Sequence, residues 1–200
     1  MNALRRARGR VGAALLLGWF AFMVVVGAGL LAKHIVALPV PAKDAKLAVS
    51  LRALRGPQTP GRWLAVHALY ADCRCSLRVV DHLVTTARPS EWDEMVLWVG
   101  QTPPSHALEE RFDVRRVAVS ELAALGIEAA PLLIALDPAG QVRYVGGYTD
   151  RKQGPAIEDL RILRSVRDAG SVASLPAFGC AVSDGLKRSL AGFSGALGQL

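Results

Sequence analysis

From Val11 to Ala32 the chain reads VGAALLLGWFAFMVVVGAGLLA, a run without a single charge. No other feature limits the fold as much. The run is long enough to cross a hydrocarbon core of about 30 Å as a helix. Arg5, Arg6, Arg8 and Arg10 precede it, and Lys33 and His34 follow it. The positive-inside rule then makes residues 1–10 a basic cytosolic terminus and 11–32 a single-pass transmembrane anchor, with everything after Lys33 across the membrane. Trp19 falls near mid-span, away from the interface where an aromatic belt would place it. A cleavable signal peptide with a small-residue site at Val26-Gly27-Ala28 is the competing reading, but the run is longer than a typical h-region. Either way the remainder is exported. Arg5-Arg6 lacks the rest of a twin-arginine signal. In a bacterial cell the expected location is the inner membrane, with the C-terminal domain in the periplasm.

The anchor also explains the charge. The chain carries a net +7, and residues 1–33 hold five basic side chains and no acid, which leaves +2 on residues 34–200. That remainder has no basic run and no nucleic-acid-binding motif, so nucleic acid is not an expected partner.

Beyond a stiff linker (33–44) bracketed by Pro39 and Pro41, "AKDAKLAVSLRALR" places Leu47, Leu51 and Leu54 at helical spacing. "GPQTPG", residues 56–61, ends that helix. "RWLAVHALY", Arg62 to Tyr70, reads as a strand buried on both faces. Leu77, Val80 and Val84 predict a helix ending near Arg88-Pro89. "EMVLWVG" is a second buried strand. A short helix over 107–112 and a short strand near 115–119 follow, and Ser120 is placed to cap the helix "ELAALGI". "PLLIAL" and "QVRYVGG" flank the turn Asp137 to Gly140. Ile157, Leu160, Leu163 and Val166 give a last amphipathic helix that stops at Gly170. This alternation closing in a hairpin predicts an α/β fold, one mixed sheet with helices on both faces. The domain is expected over residues 45–168, with 169–200 as a tail.

Only three cysteines occur. Cys73 and Cys75 stand one residue apart where the first strand meets its helix, and Cys180 lies far off in the tail. In an exported domain disulfides form and persist, which favours redox work for such a pair over inert thiols. Cys180 is a second resolving cysteine, a further metal ligand, an intermolecular partner or an inert thiol. The sequence leaves these open.

Two separated pieces, "WLAVHALYADCRCSLRVVDHL" and "LGIEAAPLLIALDPAGQVRYVGGY", resemble the thioredoxin-like superfamily, in particular its membrane-anchored periplasmic thiol–disulfide proteins of the TlpA type. The likeness covers roughly residues 45 to 168. It implies a thioredoxin-like sheet, thiol–disulfide exchange as the activity, and a disulfide-bearing protein substrate or redox partner. It also implies a cis peptide before Pro131, whose neighbouring backbone groups would line the cysteine site and pair with an extended peptide. The family's usual pair is Cys-x-x-Cys, whereas here the spacing is Cys73-Arg74-Cys75.

Helix N-termini favour a thiolate, so a cysteine placed there becomes a nucleophile near neutral pH. Cys73, nearer the joint, is the expected attacking thiol and Cys75 the resolving one. A disulfide across one intervening residue closes a small ring. No cofactor is expected on this reading. The alternative is a metal-binding module, taking Cu, Zn or an iron–sulfur cluster on Cys73, Cys75 and Cys180 or a histidine. His67 and His82 read first as ordinary hydrogen-bonded or surface side chains. A peroxidase lacks its proline–threonine pattern ahead of Cys73. A scaffold that only inherits the fold is the remaining possibility.

Overall fold

The structure, a computed structural model, describes residues 2–35, 37–55, 61–152, 154–170 and 172–197. The chain divides into two compact units, the N-terminal helix and everything from Ala37 onward. Helix α1 (Asn2–Ile35) has 34 residues and so is roughly 50 Å long at 1.5 Å per residue. Its stretch Val11–Ala28 is apolar and long enough to cross a membrane, and none of its residues is buried. A signal sequence would meet the same test.

The second unit begins its regular structure with α2 (Ala45–Leu54), whose N-terminus is capped by Asp44: Oδ1 accepts from the Leu47 N–H at 2.8 Å. The order continues β1 (Trp63–Tyr70), α3 (Arg74–Thr85), β2 (Trp92–Val99), α4 (His106–Arg111), β3 (Asp113–Arg116), α5 (Val119–Ala124), β4 (Ala129–Ala130), β5 (Leu132–Leu136) and β6 (Val142–Gly146). After them come α6 (Asp159–Ala169), β7 (Cys180–Ala181) and α7 (Asp184–Leu197). Five strands form one mixed sheet in the order β3-β2-β1-β5-β6. The neighbours β1, β2 and β3 run parallel, while β5 is antiparallel to β1 and to β6. Strands β4 and β7 make a separate antiparallel pair.

Strand alternation divides the apolar residues between two cores. Leu64, Val66 and Ala68 of β1 join Leu47, Ala48 and Leu51 of α2 and Leu122 of α5 on one face. Ala65 and Leu69 point to the other face, with Val79 and Leu83 of α3 and Ile162, Leu163 and Val166 of α6. The α/β reading with helices on both faces of a mixed sheet is what the structure has.

Several local expectations need correction. Helix α3 starts at Arg74, three residues before the apolar spacing begins, because its first turn is polar and is held by the backbone bond from Leu77 N–H to the Cys73 carbonyl. Its buried face is Ser76, Val79 and Leu83, and Leu77 is exposed. Ser120 lies inside α5 and does not cap it. The Ala118 N–H is taken instead by the Glu121 carboxylate at 2.7 Å. In α6 the inward residues include Asp159, a fully buried acid that an apolar pattern cannot pick out. The turn expected at "GPQTPG" lies, apart from Gly61, outside the described residues. The domain expected to close at 168 takes in part of the tail: Ala177 and Val182 are buried in the α2-side core.

Leu51 is fully buried between α2 and the sheet. Leu51→Ala is expected to cost about 2–5 kcal/mol of stability, the range for a buried leucine that leaves a cavity. Urea unfolding of the full chain in detergent checks this, and a loss below 1 kcal/mol, a bound set well under that range, would mean that α2 is not part of the cooperative core.

Candidate functional site

The turn from β1 into α3 brings the site together. The Ala71 N–H donates to the Val99 carbonyl at 2.8 Å, and the Cys73 N–H donates to Tyr70 at 3.1 Å. The Tyr70 N–H donates to the buried Ser76 Oγ at 3.0 Å, which ties the end of the strand to the first turn of the helix. Gly100 packs against this turn at φ +119, and a Cβ on it would lie 2.7 Å from Ala71 Cβ. Only glycine fits that position.

Cys73 occupies the N-cap of α3 and is fully buried. It is joined by a disulfide to Cys180, with Cα atoms 5.9 Å apart and 107 residues between them in sequence. Cys75, expected as the resolving partner, carries a free thiol and is half-buried in the first turn of α3. The couple is therefore Cys73–Cys180, and the reason is the tail's path. Strand β7 pairs antiparallel with β4 in the register Ala130 opposite Cys180 and Ala129 opposite Ala181. Cys73 Sγ lies 3.6 Å from the Ala130 carbonyl oxygen. The peptide between Ala130 and Pro131 is cis.

The tail is fixed along its length. The Gly147 N–H donates to Leu175 at 3.0 Å, Leu38 to Ala177 at 2.8 Å and Val182 to Glu128 at 2.7 Å. Gly179 approaches β4 so closely that a Cβ there would stand 2.7 Å from Pro131 Cδ and nearer still to the Ala130 carbonyl. Beside the disulfide opens a cleft of about 170 Å³ walled by Cys75, Arg78, Pro131, Tyr148, Ile157 and Phe178. The Arg78 guanidinium is spent on the carbonyls of Gly154 and Pro155, at 2.6 and 2.7 Å.

Under the cleft lies a buried polar network. His67 Nδ1 meets the Tyr148 hydroxyl at 2.8 Å, and its Nε2 meets the Glu94 carboxylate at 2.9 Å. Arg88 bridges Glu94 and Asp159, both at 2.7 Å, and His82 Nε2 meets Asp159 at 2.9 Å. Burial pushes the Glu94 carboxyl up, but the hydrogen bond and charge of His67, followed by those of Arg88, outweigh it and hold it at about 2. Burial drives the Tyr148 hydroxyl well above its ordinary value of 10.0. Pattern reading missed this network because its members come from four separate elements and two connecting segments. The local signals were His67 and Glu94, each a polar residue in an apolar strand.

The metal alternative placed a histidine beside the cysteines. Here His67 and His82 each use both ring nitrogens, His82 Nδ1 meeting the Thr86 hydroxyl at 3.3 Å. Among the described residues, no group of three or more His, Cys, Asp and Glu is arranged to hold a metal ion.

No family model matches the chain, and no curated protein matches it. Among solved structures it is similar to a hypothetical protein from Sinorhizobium meliloti 1021, at 14% identity and a TM-score of 0.48, covering 74% of this chain and 91% of that one. It is also similar to an uncharacterized conserved protein from Geobacillus kaustophilus, at 11% identity and 0.46, covering 75% and 91%. Likeness at this level carries no argument about activity.

Two outcomes test the site. The Glu94 carboxyl falls from an ordinary 4.5 to about 2, so its stabilisation is complete above about pH 4.5 and is lost as pH drops through 2, roughly 3 kcal/mol in all. The stability gap between wild type and Glu94→Gln should shrink by that amount between about pH 5 and pH 2, and a gap unchanged with pH would contradict the network. Gly179→Val should prevent the tail from docking. Peptide mapping without reductant should then find the Cys73–Cys180 bond largely lost, with a stability drop of about 2–5 kcal/mol.

Proposed function

We propose that the chain is a thioredoxin-like thiol–disulfide exchange protein, tethered to the inner membrane by residues 11–32 with its domain in the periplasm. Its working couple is Cys73 and Cys180, and Cys75 is a third thiol in the same cluster. The observation that carries this reading is the Cys73–Cys180 bond at the start of α3, with a free thiol in the same helical turn. The element order and the Ala130–Pro131 peptide beside the sulfurs support it. So does the apolar N-terminal helix, since an exported domain would sit where disulfides persist.

The partner is a protein dithiol, or its disulfide when the reaction runs in reverse. In the forward direction two partner thiols lose two electrons and two protons and join as a disulfide. The Cys73–Cys180 bond takes up the electrons and becomes two thiols. Cys73 leaves as a thiolate at the N-terminus of α3, where the unpaired N–H groups and the helix dipole favour negative charge. A stable leaving thiolate speeds exchange.

The test uses the oxidised full chain in detergent with a reduced two-cysteine peptide. Wild type should convert the peptide to its disulfide and lose its own Cys73–Cys180 bond, one for one. Cys73→Ser should reduce this to background. If the wild-type bond opens only with a phosphine and exchanges with no thiol, it is a structural staple and the proposal fails.

A further inference from the structure

The edge of β4 beside Pro131, where the resemblance would seat a partner's extended peptide, is held by this chain's own tail. Cys180 and Ala181 pair with Ala130 and Ala129. Ala177 on one side of the cysteine and Val182 on the other are buried in the core. Backbone bonds to Gly147, Leu38 and Glu128 hold the segment independently of the disulfide. The tail is thus an integral strand, and it covers Cys73, which has no exposed surface. Beside it, the cleft wall includes Cys75 and the tail's Phe178 but neither cysteine of the disulfide, of which Cys73 is fully buried and Cys180 half-buried.

We infer that Cys75 is the sulfur that meets the partner, and that the Cys73–Cys180 bond is an internal store reached through it. This rests on the exchange function proposed above. The relay has three transfers. The Cys75 thiolate attacks Cys73 Sγ, the Cys73–Cys180 bond breaks, and Cys180 leaves as a thiolate that takes up a proton. A partner thiolate in the cleft then attacks Cys75 Sγ, forming a partner–Cys75 mixed disulfide and releasing Cys73 as a thiolate. The partner's second thiolate attacks its own sulfur in that mixed disulfide and releases Cys75. The partner leaves as a disulfide, the store is reduced by two electrons, and the partner's two protons end on Cys73 and Cys180. With the β4 edge taken, the partner is recognised by a protruding cysteine that enters the cleft, not by strand pairing.

The experiment compares oxidised full-length wild type with Cys75→Ser in detergent, reading the rate at which a reduced two-cysteine peptide opens the Cys73–Cys180 bond. The variant is expected to keep the bond and to open at least about tenfold more slowly, since the transfer must bypass the thiol that lines the cleft. A second measurement uses Cys73→Ser, which leaves Cys75 and Cys180 without a partner at the store: an activated peptide disulfide should be trapped on Cys75. Equal opening rates, or trapping on Cys180, would overturn the relay while leaving exchange intact. A wild type that does not exchange at all would remove the function itself, and the relay with it.

Discussion

The burial of β1 on both faces is the constraint on which the rest depends. Its six central residues are all buried, and it hydrogen-bonds to a parallel neighbour on one side and an antiparallel one on the other. Both cores hang from its alternating side chains, and its C-terminal end delivers the chain directly into the cysteine turn. A strand so enclosed has no freedom of register, since a slip of one residue would exchange the two cores. Cys73 and Cys75 are therefore set by a strand held on both faces and both edges.

That rigidity includes one costly feature. His67 sits in the middle of β1 and meets Glu94, which Arg88 in turn links to Asp159, all largely removed from water. Buried charges are tolerated only when each is paired and hydrogen-bonded. Here β1, β2, α3 and α6 each supply a member, as do the segments after α3 and β6, so the network holds if those elements are packed together and fails if they part. It reaches the cleft through the Tyr148 ring, while the hydroxyl stays inside. Its effect on the site is to fix the cleft wall opposite Cys75.

Much of this was legible in the order of residues. The sheet, the hairpin at Asp137 and the cysteine turn follow from local apolar runs and turn residues, whereas the cis peptide before Pro131 was expected only from the resemblance. The start of α3 was misplaced because Arg74, Cys75 and Ser76 carry no apolar signal, yet Ser76 is buried by a hydrogen bond. Asp159 defeated the amphipathic pattern for the same reason: its burial is justified by Arg88, 71 residues away. The pairing of Cys73 with Cys180 depends on a two-residue strand and a close approach at Gly179, and neither has a periodicity to read. Short strands that owe their place to tertiary contact are where sequence patterns give out.

The bond from the Leu38 N–H to the Ala177 carbonyl, three residues before Cys180, has a mechanical meaning. Leu38 stands just after the segment that links the apolar helix to the folded domain, so tension on that link enters along the chain toward α2 and is shared, through this bond, with the strip of backbone that carries Cys180. While the disulfide is closed, the load passes through a covalent bond to the base of α3 and on to the central strand. Once it opens, the same load is carried there by hydrogen bonds and buried side chains alone. Because the chain itself also runs on from Leu38 into α2, the sulfur pair decides only how far the tail strip shares that load.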